Sequence, residues 1–282
     1  MITANWTEWV SAQGWHPTDL QVIPPPPRAF SEVFRLTTQN DVDVRRLVAL
    51  VAADPVFAIR VLRLANVAAF APAGEVRSID IAVVRLGTRA VRNAVVAACL
   101  SAWAQRIDAY GSRGALEVQH AVGTACLSRR LAEFVYAAPE EAFVHGLLHD
   151  VGKLCLLKMR AEFLRLGGRP PSAEEFDDVS AAFHPEVGAA ALHVWGLPET
   201  VRIPVGWHHA PLDAPTQTKD AALTYLANRL SHRYGFGCAP DAAEEDLLQD
   251  PVAIAFGLRA TWLDRLDHDA VQIGMAASQL VS

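Results

Sequence analysis

Five of the ten histidines fall into a pattern with carboxylate and glycine partners: His120, the run His149-Asp150-Val151-Gly152-Lys153, His184, and the pair His208-His209. Imidazole nitrogen and carboxylate oxygen together suit Fe, Mn, Zn and other borderline or hard divalent ions. Adjacent side chains on a helix diverge by about 100°, so His149 and Asp150 can meet one ion only at a helix end. Gly152 is expected to supply that end as a helix stop. As packing alone, His149-Asp150 is a helix-end histidine with a cap-like aspartate. Lys153 then has two readings, a phosphate contact near a metal or a solvated lysine complementing a helix C-terminus.

The elements that must position these residues read as helix after helix. Residues 22–28 hold four successive prolines, which remove amide donors and favour an extended strap. Asp41 is expected to cap a helix running to about Ala53, and Asp54-Pro55 to open the next with a cap and a proline at the first helical position. From Val56 to Ala69 the spacing puts Ile59, Leu62, Ala65 and Ala69 inward, with Arg60 and Arg63 outward. Ser78 opens a short helix to Leu86, Gly87 ends it, and Thr88 caps a long apolar helix to about Gln105. Helices are expected from about Ala115 to Tyr136 and from Pro139 to His149. Ser172-x-x-Glu175 is a capping box, and Pro185 and Pro198 each mark a possible helix start. Residues 236–250 carry five acids and no base, a solvated connection to a final helical region at about 251–280. There Ile254, Phe256, Leu258, Trp262 and Leu266 offer an apolar surface that should pack back onto one lobe.

With 282 residues and 51% apolar composition, the chain can bury a substantial core as one large helical domain or two small ones. No apolar run reaches the roughly 18 residues of a membrane span, and the first residues lack a basic signal region, so a cytoplasmic protein with no membrane partner is expected. Cys99, Cys126, Cys155 and Cys238 are scattered singly and read as buried free thiols. The formal net charge of −6 argues against a surface coated in nucleic-acid contacts. Eight arginines (45, 46, 60, 63, 77, 85, 89 and 92) face four acids within residues 42–92 and read as a solvated helix surface. His145, His193, His232, His16 and His268 read as surface histidines, and Trp195 and Trp207 as core fillers. Only three of the 25 basic residues are lysine, and alanine is abundant, as a GC-rich bacterial genome would produce.

Gly146-Leu-Leu-His149-Asp150-Val-Gly152-Lys153 resembles the HD superfamily of metal-dependent phosphohydrolases. Leu50-Val-Ala-Ala-Asp54-Pro55, Arg60 through Asn66, Ser78-Ile-x-x-Ala82 and Leu86-Gly87 look like the N-terminal half of the HDOD family. His184-Pro-Glu-Val-Gly188, Trp195-Gly-Leu-Pro198 and His208-His209 continue that likeness over about residues 20–235. The resemblance implies an all-α fold, a multi-helical HD-domain/PDEase-like core with an N-terminal helical subdomain. It divides the chain into an N-terminal extension at 1–19, a helical lobe at 20–108, an HD-like lobe at 109–235, and an acidic linker with C-terminal helices at 236–282.

Carried over by position, His120, His149 and Asp150 match three ligands of a single-metal HD site, and Asn228 stands where the fourth, normally an aspartate, is found. His184, His208 and His209 match the additional ligands of two-metal HD proteins. The Gly-Tyr-Pro signature that follows the paired histidines in cyclic-dinucleotide phosphodiesterases is absent from His208-His209-Ala-Pro-Leu. An amide oxygen can coordinate but lacks the anionic charge that holds a hard cation. The resemblance therefore implies a bacterial signalling or regulatory protein, with a divalent metal (Fe, Mn, Zn, Ni or Mg) as its only expected cofactor. Its expected partners are a signalling protein or a small anionic ligand. The alternative is a metal-dependent phosphohydrolase or phosphodiesterase acting on nucleotides or related phosphoesters, with Asp150 and Lys153 as its catalytic residues.

Overall fold

The computed structural model describes residues 23–38, 41–66, 74–106, 112–165, 172–237 and 246–281. The extension expected at 1–19, with His16, lies outside them, as do Ala69, Cys238 and residues 238–245 of the acidic connection. Among the described residues the chain is helical throughout, with no strand. No helix among the described residues is long and apolar enough to cross a membrane.

The proline strap is tied down by a residue far from it in sequence. Trp195 Nε1 donates to Pro24 O at 3.0 Å, and the Trp195 ring meets Phe30 and Trp103 edge-on. Helix α1 (Arg28–Thr37) follows the last proline. In α2 (Val44–Ala52) the cap is Asp43, which accepts from Arg46 N, and not Asp41 as expected; a capping carboxylate must stand immediately before the first turn. Helix α3 (Pro55–Asn66) begins as its sequence specifies, with Asp54 Oδ1 accepting from Val56 N at 2.8 Å.

The inward face of α3 differs from expectation. Phe57, Val61 and Ala65 form the buried stripe, Ile59 is 50% exposed, and Arg60 turns inward. Its guanidinium donates to Leu280 O and to Ser101 Oγ, so tertiary partners pull it off the surface. Helix α4 (Ile79–Leu86) ends at Gly87, and α5 (Thr88–Gln105) is buried almost all round from Ala90 to Ser101. An apolar helix without a polar face belongs at the centre of a bundle, and α5 contacts α1, α3 and α4.

Helices α6 (Arg113–Phe134), α7 (Pro139–Leu148), α8 (Val151–Arg165) and α9 (Ala173–Val194) build the second half of the bundle. Ser172 and Glu175 form the complete reciprocal capping box. Pro185 lies inside α9 rather than at a helix start, because that cap begins the helix far upstream and α8 supports it by packing alongside. Pro198 does precede α10 (Glu199–Gly206), a 3₁₀ turn spans Pro211–Asp213, and α11 (Thr218–Arg233) follows.

The chain closes with α12 (Pro251–Phe256) and α13 (Ala260–Val281). Helix α13 packs on α6, α5 and α3, touching both halves of the bundle where one lobe was expected. Leu263, Leu266, Ile273, Ala277 and Leu280 are its buried residues, while Ile254 of α12 is 63% exposed. A single apolar cluster runs from Ile23 to Leu280.

Gly152 is not a helix stop. The break falls at His149-Asp150, and Gly152 is the second residue of α8. Its role is close approach: a Cβ there would lie 2.0 Å from His184 O and 2.8 Å from Gly188 N on α9. Gly152→Ala is therefore expected to cost about 3 kcal/mol by forcing α8 and α9 apart. Urea unfolding checks this, and a midpoint equal to that of the wild type would refute it.

Candidate metal centre

Five segments deliver the polar cluster. His120 projects from the middle of α6, His149 and Asp150 occupy the break between α7 and α8, and Lys153 sits in the first turn of α8. His184 comes from α9, His208 and His209 from the turn after α10, and Asn228 from α11. His149 and His208 are fully buried, Asp150, His120, His184 and Asn228 nearly so, and His209 stands at the exposed rim.

Four of the rings are held the same way. Nδ1 of His149 lies 2.7 Å from Gly146 O, that of His184 2.7 Å from Ser180 O, that of His208 2.6 Å from Val205 O and that of His120 3.1 Å from Phe236 O. A carbonyl oxygen only accepts, so each ring donates from Nδ1–H and turns the lone pair of Nε2 into the pocket. This is the arrangement in which a metal-ligating histidine is oriented by a carbonyl behind it. Burial, and then His149, pushes the His120 ring down to about 3; burial likewise holds His208 well below the usual range. Both are neutral imidazoles at ordinary pH, the form that ligates.

The lone pairs converge on one carboxylate. Asp150 Oδ1 lies 3.1 Å from His184 Nε2 and 3.7 Å from His208 Nε2; Oδ2 lies 3.2 Å from His149 Nε2 and 3.7 Å from His120 Nε2. His184 Nε2 is also 3.3 Å from His208 Nε2 and 3.1 Å from His209 Nε2. His149 Nε2 and Asp150 Oδ1 are buried without a hydrogen-bond partner. Acceptors packed against acceptors repel, and orphaned buried polar atoms are costly. A cation relieves both, since metal–ligand bonds of about 2.0–2.2 Å set ligand atoms about 3–3.5 Å apart. Two groups have this character, His120/His149/Asp150 and His184/His208/His209, each with its ligand atoms within 4.8 Å of one another.

Lys153 is half-buried and paired with two carboxylates. Its Nζ donates to Asp150 Oδ2 at 2.6 Å and lies 3.6 Å from Glu117 Oε2. Burial disfavours its charge, but Asp150 and Glu117 outweigh burial and push it up to about 12. Asp150 is likewise held well below its ordinary value against its own burial, by His149 and Lys153. Glu117, whose own carboxyl is raised by burial, was not singled out in the sequence. Its position three residues before His120, on the same face of α6, was the available signal. Asn228 Oδ1 as placed is 2.8 Å from His120 Nε2. With Nδ1–H bonded to Phe236 O, the amide must turn its NH₂ end to Nε2 to make a hydrogen bond there.

Several residues taken for surface or core stand elsewhere. His145 is buried, with a ring pushed down to about 4 by burial, which outweighs the opposing hydrogen bond with the Thr200 backbone. The His232 ring lies 4.6 Å from that of His120. Trp207 is 37% exposed. Arg92, like Arg60, is buried; it lies over the Phe34 ring and donates to Asn93 Oδ1 at 3.1 Å. Cys99, Cys126 and Cys155 are buried free thiols.

An all-helical bundle with a His-Asp pair at a helix break, ringed by further histidines, defines the class as an HD-type helical protein. The chain belongs to the HDOD family, whose domain model matches residues 23–211. A protein of unknown function from Geobacter sulfurreducens, described as an HDOD domain protein, superposes with a TM-score of 0.72 at 23% identity, covering 93% of this chain and 98% of that one. A candidate metal-dependent phosphohydrolase from Shewanella amazonensis SB2B gives a TM-score of 0.70 at 13% identity, over 98% of each chain. An uncharacterised protein of Treponema pallidum is 27% identical over 226 residues, 77% of this chain. The chain spans only 44% of that relative's length.

The buried neutral histidines fix a pH dependence. In the unfolded chain they titrate near 6.5; folded, His120 and His145 titrate at about 3 and about 4. Below about pH 6.5 the unfolded state binds more protons, so stability is full above that pH and is lost as pH falls toward 4. The melting temperature should drop from pH 7 to pH 5, with a shallower drop in His145→Gln. A melting temperature that is flat or rises on acidification would contradict this.

Proposed function

We propose that this chain is a regulatory, signal-transducing HDOD domain whose pocket holds a divalent metal and whose phosphoester chemistry is weak or absent. The observation that carries the reading is closure around a ligand-ready cluster. The Nε2 atoms are oriented for an ion, yet His149 and His208 have no exposed surface. A phosphoester has to reach the reacting centre, whereas a bare ion needs far less room.

His120, His149 and Asp150, joined by Asn228, would hold one ion, and His184, His208 and His209 a second. A bound ion of this kind polarises phosphoryl oxygens and lowers the pKa of water. The protein's own groups temper that chemistry. Asn228 supplies no charge, and Lys153, the nearest cation, is engaged by Asp150 and Glu117. The pocket then serves as a centre that a signal, a small anionic ligand or a partner protein can bias. The second reading, a metal-dependent phosphohydrolase, is favoured by the full histidine set and by His209 at the open rim.

Metal analysis, calorimetry and a broad phosphoester screen separate the two. The purified chain should bind a divalent metal, more tightly in Asn228→Asp and more weakly in His149→Ala, with no turnover at enzymatic rates. Rapid metal-dependent turnover abolished by Asp150→Ala would establish the enzyme instead. Unchanged affinity in both of the first two variants, each folded, would refute the metal centre.

A further inference from the structure

The carbonyl that orients His120 does not belong to the part of the chain matched by the family model. It belongs to Phe236, in the turn after α11, and three close approaches fix that turn. A Cβ on Gly123 of α6 would lie 2.6 Å from Phe236 Cβ, and one on Gly274 of α13 would lie 3.2 Å from Phe236 Cε1. The ring is thus seated in a slot with a glycine from each helix on either side. A Cβ on Gly237 would lie 2.4 Å from both His120 N and Leu116 O, so the turn lies directly on the α6 backbone at the ligand itself.

Helix α13 closes this slot and is held by polar contacts. Tyr234 Oη, in the same turn, donates to Asp267 Oδ1 at 2.7 Å, and Arg130 of α6 donates to Asp269 Oδ2 at 2.8 and 3.0 Å. Trp262 stacks on Phe134, 5.6 Å between centroids. Beside the slot lies a cavity of about 710 Å³ lined by Gln119, Phe236, Val271, Gly274, Met275 and Ser278 among others. If α13 shifts, the Phe236 ring therefore has space to leave its seat.

We propose that Phe236 is a positioning residue for His120 and that the docking of α13 regulates the metal pocket through it. The inference rests on the metal-centre reading given above. With α13 seated, Phe236 O holds Nδ1–H and Nε2 faces the pocket. With α13 displaced, the turn loses its outer wall and His120 Nδ1 exchanges the fixed Phe236 carbonyl for the rotatable Ser231 hydroxyl, whose Oγ lies 3.3 Å away, so the tautomer is no longer dictated and the ligand set loosens. Any partner that draws α13 away thereby weakens metal binding without touching a ligand.

The test uses the full chain, Zn²⁺ alone as the probe, and two readouts. Nitrogen-15 NMR of the His120 ring reports the tautomer with no metal present, and calorimetry reports Zn²⁺ affinity. Gly274→Leu, which intrudes on the Phe236 ring, should mix the His120 tautomers and weaken Zn²⁺ binding by about tenfold. Met275→Ser, on the same helix but directed at the cavity, should leave both readouts unchanged. If Gly274→Leu does not fold, Asp267→Asn, which weakens the hold of Tyr234 on α13, should move both readouts in the same direction. Unchanged ring signals in a folded Gly274→Leu or Asp267→Asn protein would overturn the positioning role. Shifted signals with unchanged Zn²⁺ affinity would overturn the regulatory one. Absence of Zn²⁺ binding in the wild type would instead refute the metal centre, while the ring signals still decide the fate of the positioning role.

Discussion

A single carboxylate, that of Asp150, is buried among the Nε2 atoms of four imidazoles, and much of the fold is arranged around it. A buried charge with no partner is strongly destabilising, so Lys153 is drawn in from the next turn and Glu117 from α6 closes the chain of charge. The imidazoles cannot all be protonated at that depth and must be held in one tautomer by donors pointing outward. Backbone carbonyls at Gly146, Ser180, Val205 and Phe236 meet that demand from four different elements. The same requirement explains why α8 and α9 come close enough to exclude a methyl group at Gly152. Only that approach brings His184 within 3.1 Å of Asp150.

The remaining helices secure this arrangement from outside. α5 supplies the apolar axis, and the proline strap is clamped to it through Trp195 and Trp103. Two arginines within the core stitch distant segments together. Arg60 reaches the end of α13, and Arg92 reaches Phe34 on α1 while neighbouring Asn93 binds Glu140 on α7. Arginine suits this work because its fork serves several acceptors at once and its stem packs as an apolar chain. One continuous apolar cluster is the consequence, so displacement of the C-terminal helix is felt in both halves of the bundle.

Some of this was legible in the residues. The helical class, the caps at Asp54-Pro55 and Ser172–Glu175, and the helix ends near Leu86, Gln105 and Leu148 follow from local rules: apolar period, capping side chains, proline and glycine. Placement of the histidines and Asp150 at one locus came from the likeness of their order to a known family, since no local rule joins residues 120 and 208. Elsewhere tertiary contact overrode local spacing. The α3 spacing pointed to the Ile59 stripe, whereas the acceptors at Ser101 and Leu280 draw Arg60 inward and leave Phe57, Val61 and Ala65 as the buried face.

The sequence by itself determined which side chains can ligate, which segments are helical, and where most of those helices begin. It did so because these properties depend on neighbours within a few residues. Only the tertiary structure decided that Gly152 serves packing rather than chain termination, that Lys153 is spoken for by Glu117, and that His145 is buried. It alone decided that a backbone carbonyl from Phe236 aims His120. Such a carbonyl carries no residue signature, because every residue has one; its role is set by the distance at which another helix brings it to the ring.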